Sequence, residues 1–142
     1  MDNNILIDGL EYVNWNRDLF EKAHAGGLTA IHATLVYWED TKESFEKMDY
    51  WDNLILSNSD ILVHVKKSSD ILKAKQANKI GIIYGFQNSA PIANDIFLVE
   101  KFFNKVFVLC NSHTTIKPLW REDVMRNMTQ VYQGSARWLL KR

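Results

Sequence analysis

A single cysteine, Cys110, leaves this chain unable to form an intrachain disulfide. No window reaches the ~18 apolar residues of a membrane span. The N-terminus, MDNNILIDG, lacks the basic stretch and apolar core of a signal peptide. Net charge is missing too: 17 Lys and Arg balance 17 Asp and Glu. There is no internal repeat and no low-complexity tract. The four histidines, His24, His32, His64 and His113, stand in no HxH, HxxE or HExxH spacing, so metal binding has no local signature. These absences predict a soluble, cytoplasmic protein.

Length is also short. The 142 residues, 46% of them hydrophobic, suit one domain with a modest core. They fall well below the roughly 250 residues of a full (β/α)8 barrel. The neutral total hides an asymmetry. Residues 1–105 carry 11 basic and 15 acidic side chains, a net of −4, and 106–142 carry 6 and 2, a net of +4. The basic residues of the tail are sparse and form no run, so nucleic acid is not expected as a partner.

What is present is an alternation of strand and helix. Ile5–Asp8 reads as a short strand ending in Asp8-Gly9. Asn14 is placed to cap a helix over Trp15–Ala25, where Trp15, Leu19, Phe20 and Ala23 form a stripe. Gly26-Gly27 stops it. Thr29–Tyr37 is β-branched and apolar, a second strand. Thr41–Ser57 spaces Phe45, Met48, Trp51 or Asp52, and Ile55 as a helix does. Ile61–Val65 is extended. Ser68 or Ser69 caps Asp70–Asn78, and Ile80–Tyr84 is the next strand. Asp95–Asn104 is helical, with Ile96, Val99 and Phe103 aligned, and Val106–Cys110 is a further strand. Five of the six glycines lie at or before Gly85 and are read as marking element ends. This order predicts an α/β fold with a parallel sheet.

The stretch Lys79–Asp95, KIGIIYGFQNSAPIAND, says most about function. Its apolar run ends abruptly in Gly85-Phe86-Gln87-Asn88-Ser89. Buried parallel strands read as continuous apolar runs, and functional groups of α/β proteins gather where such strands end. Gln87 and Asn88 are therefore candidate ligand contacts, or amides that hold loop backbone. Glu11 and Tyr12 follow the first strand and line a pocket or an ordinary loop. Pro91 starts a helix, and Asp95 suits its first turn. His32, mid-strand, reads as a hydrogen-bonded core histidine rather than a ligand. Cys110 and His113 suggest nucleophile and base, but no third group is evident to orient them.

The segments IDGLEYVNW, GGLTAIHATLVYWE, the region from Trp51 to Ser59-Asp60, DILKAK and KIGIIYGFQNSAPIANDIFLVEKFF together resemble the renal, or membrane, dipeptidase family. The resemblance runs in order over about residues 4–105, nearest a divergent bacterial branch with an IDGL…NW start and a GFQN-x-x-PI signature. It implies an amidohydrolase-type (β/α)8 barrel, of which this chain is an incomplete N-terminal part. It also implies hydrolysis of dipeptides by metal-activated water, with zinc or another divalent metal in typical members. Three departures follow. The family's D-G-H-N-D start becomes Asp8-Gly9-Leu10-Glu11-Tyr12, so its metal-binding His and Asp positions hold Leu10 and Tyr12. Its bridging glutamate falls at Gln87. Leucine cannot ligate, and a neutral amide brings no charge to offset two cations. No cofactor and no catalysis are expected of this chain. Gln87, Asn88, Glu11 and Tyr12 are expected to contact a small peptide-like ligand instead. The alternative is a non-catalytic small-molecule-binding module on the same scaffold.

After Cys110 the texture changes. One can draw helices over 121–132 and 135–141, but the periodicity is poor. In the family a segment like GVRFMQLTYNN follows the helix ending near Asn104. Lys105–Ile116 can be coded so that reading two bases along yields that string. Asp123–Gly134 at the same offset yields CYEEHDSGLS, the family's next segment. The expectation is a missing base near Lys105. Residues 1–105 are then barrel units and 106–142 an atypical tail. An unclosed barrel with an open edge is expected to self-associate.

Overall fold

The computed structural model describes residues 4–92, 95, 97–105 and 108–110, with Leu10, 103–105 and 108–110 described by backbone alone. The elements run β1 (Ile7–Glu11), α1 (Arg17–Ala25), β2 (Ala30–Val36), α2 (Thr41–Ser57), β3 (Leu62–His64), α3 (Ser68–Gln76), β4 (Ile80–Phe86), a 3₁₀ turn (Ala90–Ile92), α4 (Phe97–Lys105) and β5 (Val108–Cys110). All pairings among the described strands are parallel, as the alternation predicts. The helices expected over 121–132 and 135–141 lie outside the described residues.

β4 is the centre. β2 pairs along one of its edges, Ala30 with Gly81 through Val36 with Phe86. The other edge is shared in sequence: β3 takes Ile80–Ile82, and β5 takes Tyr84–Phe86. β1 pairs only with β2. All seven residues of β4 are buried, which accounts for its unbroken apolar sequence.

Two layers cover the sheet. On one side Phe20 of α1, Met48, Trp51 and Ile55 of α2, and Phe102 of α4 pack on Ile31, Ile82, Tyr84 and Phe86. Phe102 stacks on Phe45 at 4.4 Å and meets Phe86 edge-on at 5.2 Å. On the other side a smaller cluster joins Ala30, Ile83 and Val65 with Ile71 of α3. Phe20 and Met48 are wholly buried, and emptying such a site costs about 2–5 kcal/mol.

Several boundaries differ from the sequence reading. Asn16, not Asn14, caps α1, its side chain accepting from the Leu19 amide at 3.1 Å. Trp15 then lies just outside the helix and stacks on Phe20 at 5.1 Å, a hydrophobic staple across the cap. α3 is capped at Lys67, and Ser68 and Ser69 are its first residues. The Asp70 carboxylate accepts from the Lys66 and Lys67 amides, each at 3.2 Å. In α4 Phe102 is buried, with Leu98 and Val99 packed beside it. Ile96 and the Phe103 side chain lie outside the description.

β4 runs two residues past Tyr84, because Gly85 and Phe86 still pair with Thr34 and Val36. Gly81 and Gly85 are thus strand residues, not element ends. A methyl group on Gly81 would meet Val65 Cγ2 at 2.6 Å. One on Gly85 would meet His32 Nε2 at 2.6 Å and the Ala33 carbonyl at 2.8 Å. Both glycines are required by close approach, not by turning.

Candidate functional site at the strand ends

Because β1, β2 and β4 are parallel, their C-terminal ends open on the same edge of the sheet. β1 delivers Glu11 and Tyr12 there, β2 delivers Tyr37, Trp38 and Glu39, and β4 delivers Gln87 and Asn88. The register of β1 shifts between Asp8 and Glu11: three steps on β1 match two on β2, from Ile31 to Ala33. Such a bulge re-aims the side chains that follow it. Glu11 shares a hydrogen bond with Asp8, and this bond, with some burial and like charge, raises its pKa above the usual carboxylate value.

The loop after β2 is held from both sides. The Gln87 amide donates to the Val36 carbonyl at 2.9 Å. Asn88 is buried, its Nδ2 donating to the Tyr37 carbonyl and its Oδ1 accepting from the Ala90 amide at 2.8 Å. Of the two roles open to Asn88, these bonds realise the one that holds loop backbone. Glu39 Oε2 accepts from the Tyr37 and Trp38 amides at 2.6 and 3.0 Å. Burial pushes the Glu39 pKa up, but those amides and Lys47, 3.8 Å away, together hold it below its usual value.

Aromatic rings line this edge. Tyr12 is 76% exposed and lies 5.7 Å from Tyr37. Trp38 is 60% exposed and stands almost perpendicular to Tyr37 at 4.8 Å. The sequence reading brought Glu11, Tyr12, Gln87 and Asn88 to this place but did not single out Tyr37, Trp38 or Glu39. The same signal would have found them, since they follow β2 as Tyr12 follows β1. His32 is half-buried over Gly85, and the Thr34 hydroxyl on the same strand is buried with no hydrogen-bond partner among the described residues.

The donor set does not fit the two-metal centre that the dipeptidase resemblance implies. Leu10 offers no lone pair, Tyr12 is a largely exposed phenol beside Tyr37, and Gln87 is neutral. Among the described residues no three His, Cys, Asp or Glu side chains gather closely enough to hold an ion.

Two other features lie away from this edge. On the helical side, Tyr84 donates to Asp52 at 2.6 Å, and His64 stacks on Tyr84 with Nδ1 3.5 Å from the same carboxylate. Burial lowers the His64 pKa, and Asp52 opposes this in part. Burial and the bond to Asp52 raise that of Tyr84. At the opposite, N-terminal end of the sheet, an open cleft of 830 Å³ is lined by Ile5, His24, Thr29, Leu72, Lys75 and Lys79. Its lysines are engaged with backbone, Lys75 with the Asn4 carbonyl and Lys79 with that of Ser59 at 2.5 Å. That face of a βα barrel serves stability rather than chemistry.

Parallel βα units with polar groups at the strand C-termini, β1, β2, β4 and β5 side by side and β3 on part of the edge of β4, fit a segment of a TIM-type barrel. The comparison with solved structures narrows it to an amidohydrolase-type fold. A crystal structure of an amidohydrolase from Pseudomonas aeruginosa matches with a TM-score of 0.73 and 40% sequence identity, over 75% of this chain and 33% of that one. The chain thus spans about a third of the length of the solved protein it matches. No protein-family model matches the chain, and no curated protein matches it significantly. Among the described residues no helix is long and apolar enough to cross a membrane.

Proposed function

We propose that this chain is a truncated member of the dipeptidase branch of amidohydrolase-type barrels. On this reading its strand ends bind a small peptide-like ligand and do not hydrolyse it. The observation that carries the reading is the convergence of Glu11–Tyr12, Tyr37–Glu39 and Gln87–Asn88 from three neighbouring parallel strands. Carboxylates, amides and aromatic rings at one edge suit the ends and side chains of a dipeptide. The mismatch at Leu10, Tyr12 and Gln87 is the ground for expecting no turnover.

The test is calorimetric titration of the chain with Ala-Ala, followed by a hydrolysis assay with and without added zinc. Saturable binding, weakened about tenfold or more by Gln87→Ala, with no hydrolysis in either condition, is expected. Hydrolysis that depends on zinc would establish an enzyme, and absence of binding would remove the peptide-ligand reading.

A second reading, a non-catalytic small-molecule-binding module on a dipeptidase-like barrel, draws on the same donor mismatch. The two part at the gene. Resequencing across the codons for Asn104 and Lys105 is expected to recover one base and open the frame beyond. An unchanged sequence would favour the binding module.

A further inference from the structure

The three rings at this edge are arranged to do more than cover apolar surface. We propose that Tyr12, Tyr37 and Trp38 form a subsite for an organic cation, a methylated ammonium group carried by the ligand. The inference rests on the reading of this edge as a ligand-binding mouth and names one part of what it takes.

Four observations carry it. Tyr37 and Trp38 meet edge to face at 80° and 4.8 Å, and Tyr12 lies 5.7 Å from Tyr37 at a tilt of 44°, so the three rings form one continuous aromatic surface. Two of the three are largely open to solvent. Glu39 is bonded to the Tyr37 and Trp38 amides with Lys47 3.8 Å away, and Glu11, hydrogen-bonded to Asp8, directly precedes Tyr12. Finally, Glu39 Oε2 is already engaged by two amides. Ring faces are electron-rich and attract cations, most strongly desolvated ones. An anionic group would meet the carboxylates and be repelled. A neutral apolar group would gain from the rings and nothing from the charge. At Glu39 a compact N–H donor would compete with the two amides that already hold Oε2. A methylated ammonium has no N–H to satisfy, carries its charge on an apolar surface, and gains from both rings and field.

The experiment is calorimetric titration of the full chain with choline and with 3,3-dimethylbutan-1-ol, its neutral isostere, at matched sodium chloride. Tetramethylammonium serves as the headgroup alone. Choline is expected to bind at least about fivefold more tightly than the alcohol, and Trp38→Ala and Tyr12→Ala are each expected to weaken it by about fivefold. Both side chains are exposed, so circular dichroism should show the fold kept in each variant. Equal affinity for choline and the alcohol, or binding untouched by both variants, would overturn the proposal. Ala-Ala binding that Gln87→Ala removes, with no choline binding, defeats the cation subsite and leaves the mouth reading standing. Choline binding without Ala-Ala binding keeps the cation subsite and removes only the peptide as the ligand of the mouth. Binding of neither defeats both.

Discussion

Gly85 has no side chain because His32 occupies its place. The ring nitrogen lies 2.6 Å from where a β-carbon would stand, with the Ala33 carbonyl at 2.8 Å. Gly85→Ala is therefore expected to destabilise by about 1–3 kcal/mol, the usual cost of overpacking, read from urea midpoints. In a His32→Ala background the cost should shrink without vanishing, because the carbonyl remains. Equal costs in both backgrounds would mean that His32 is not the obstacle. His64 gives a second residue-level expectation. Its burial lowers its pKa from an ordinary value of 6.5, so the unfolded chain takes up the proton first as pH falls. The stability that the neutral ring confers is present in full above that value and is lost on descending below it. Urea midpoints measured at about pH 7.5 and about pH 5.5 should differ more for the native chain than for His64→Gln. A variant with the full native difference would assign the pH dependence elsewhere.

Among the elements, α2 ties the most together. Its inner face packs Met48, Trp51 and Ile55 against the sheet, and Thr41 at its start donates to the Pro91 carbonyl at 2.6 Å. Asp40 accepts from the Glu43 amide at 2.9 Å, while Glu43 accepts from the Asp40 amide at 3.0 Å. This capping box is worth about 1 kcal/mol, the loss expected for Asp40→Ala. An unshifted denaturation midpoint would contradict it. The extent of α2, Thr41–Ser57, could be read from spacing alone, because its apolar positions recur as a helix requires and its acidic cap precedes them. β2 and β4 were legible as apolar, β-branched runs. The start of α1 was not, since Asn14 and Asn16 are chemically equal caps. What separates them is that only Asn16 leaves Trp15 free to stack on Phe20. The end of β4 was misplaced because a glycine there reads as a turn, whereas its cause is a histidine far back in the sequence. The candidate site was half legible. The strand-end rule found the residues at the ends of β1 and β4, whereas Tyr37 read as the last residue of the second strand.

For the molecule as a whole, the exposed edge matters most. β1 has no described partner on its outer side, and Ile5 and Leu6 before it and Ile7 within it are exposed. A strand edge left unpaired beside exposed apolar side chains is a template for another chain. The weight-average mass in sedimentation velocity is expected to rise with concentration, and Leu6→Lys should suppress that rise. A mass independent of concentration would show the edge to be innocuous.

The central place of β4 also sets a timetable. As the chain leaves the ribosome N-terminus first, β1 and β2 can pair on emergence, but β3 has no neighbour until β4 follows it. Every strand but β1 makes its contact to β4. Until Phe86 is clear of the exit tunnel, Leu62–His64 lacks its strand partner, and the inner face of α2 has only Phe20 and β2 to rest on. Biosynthesis therefore brings β3 into solution before the strand that joins it to β1 and β2 exists.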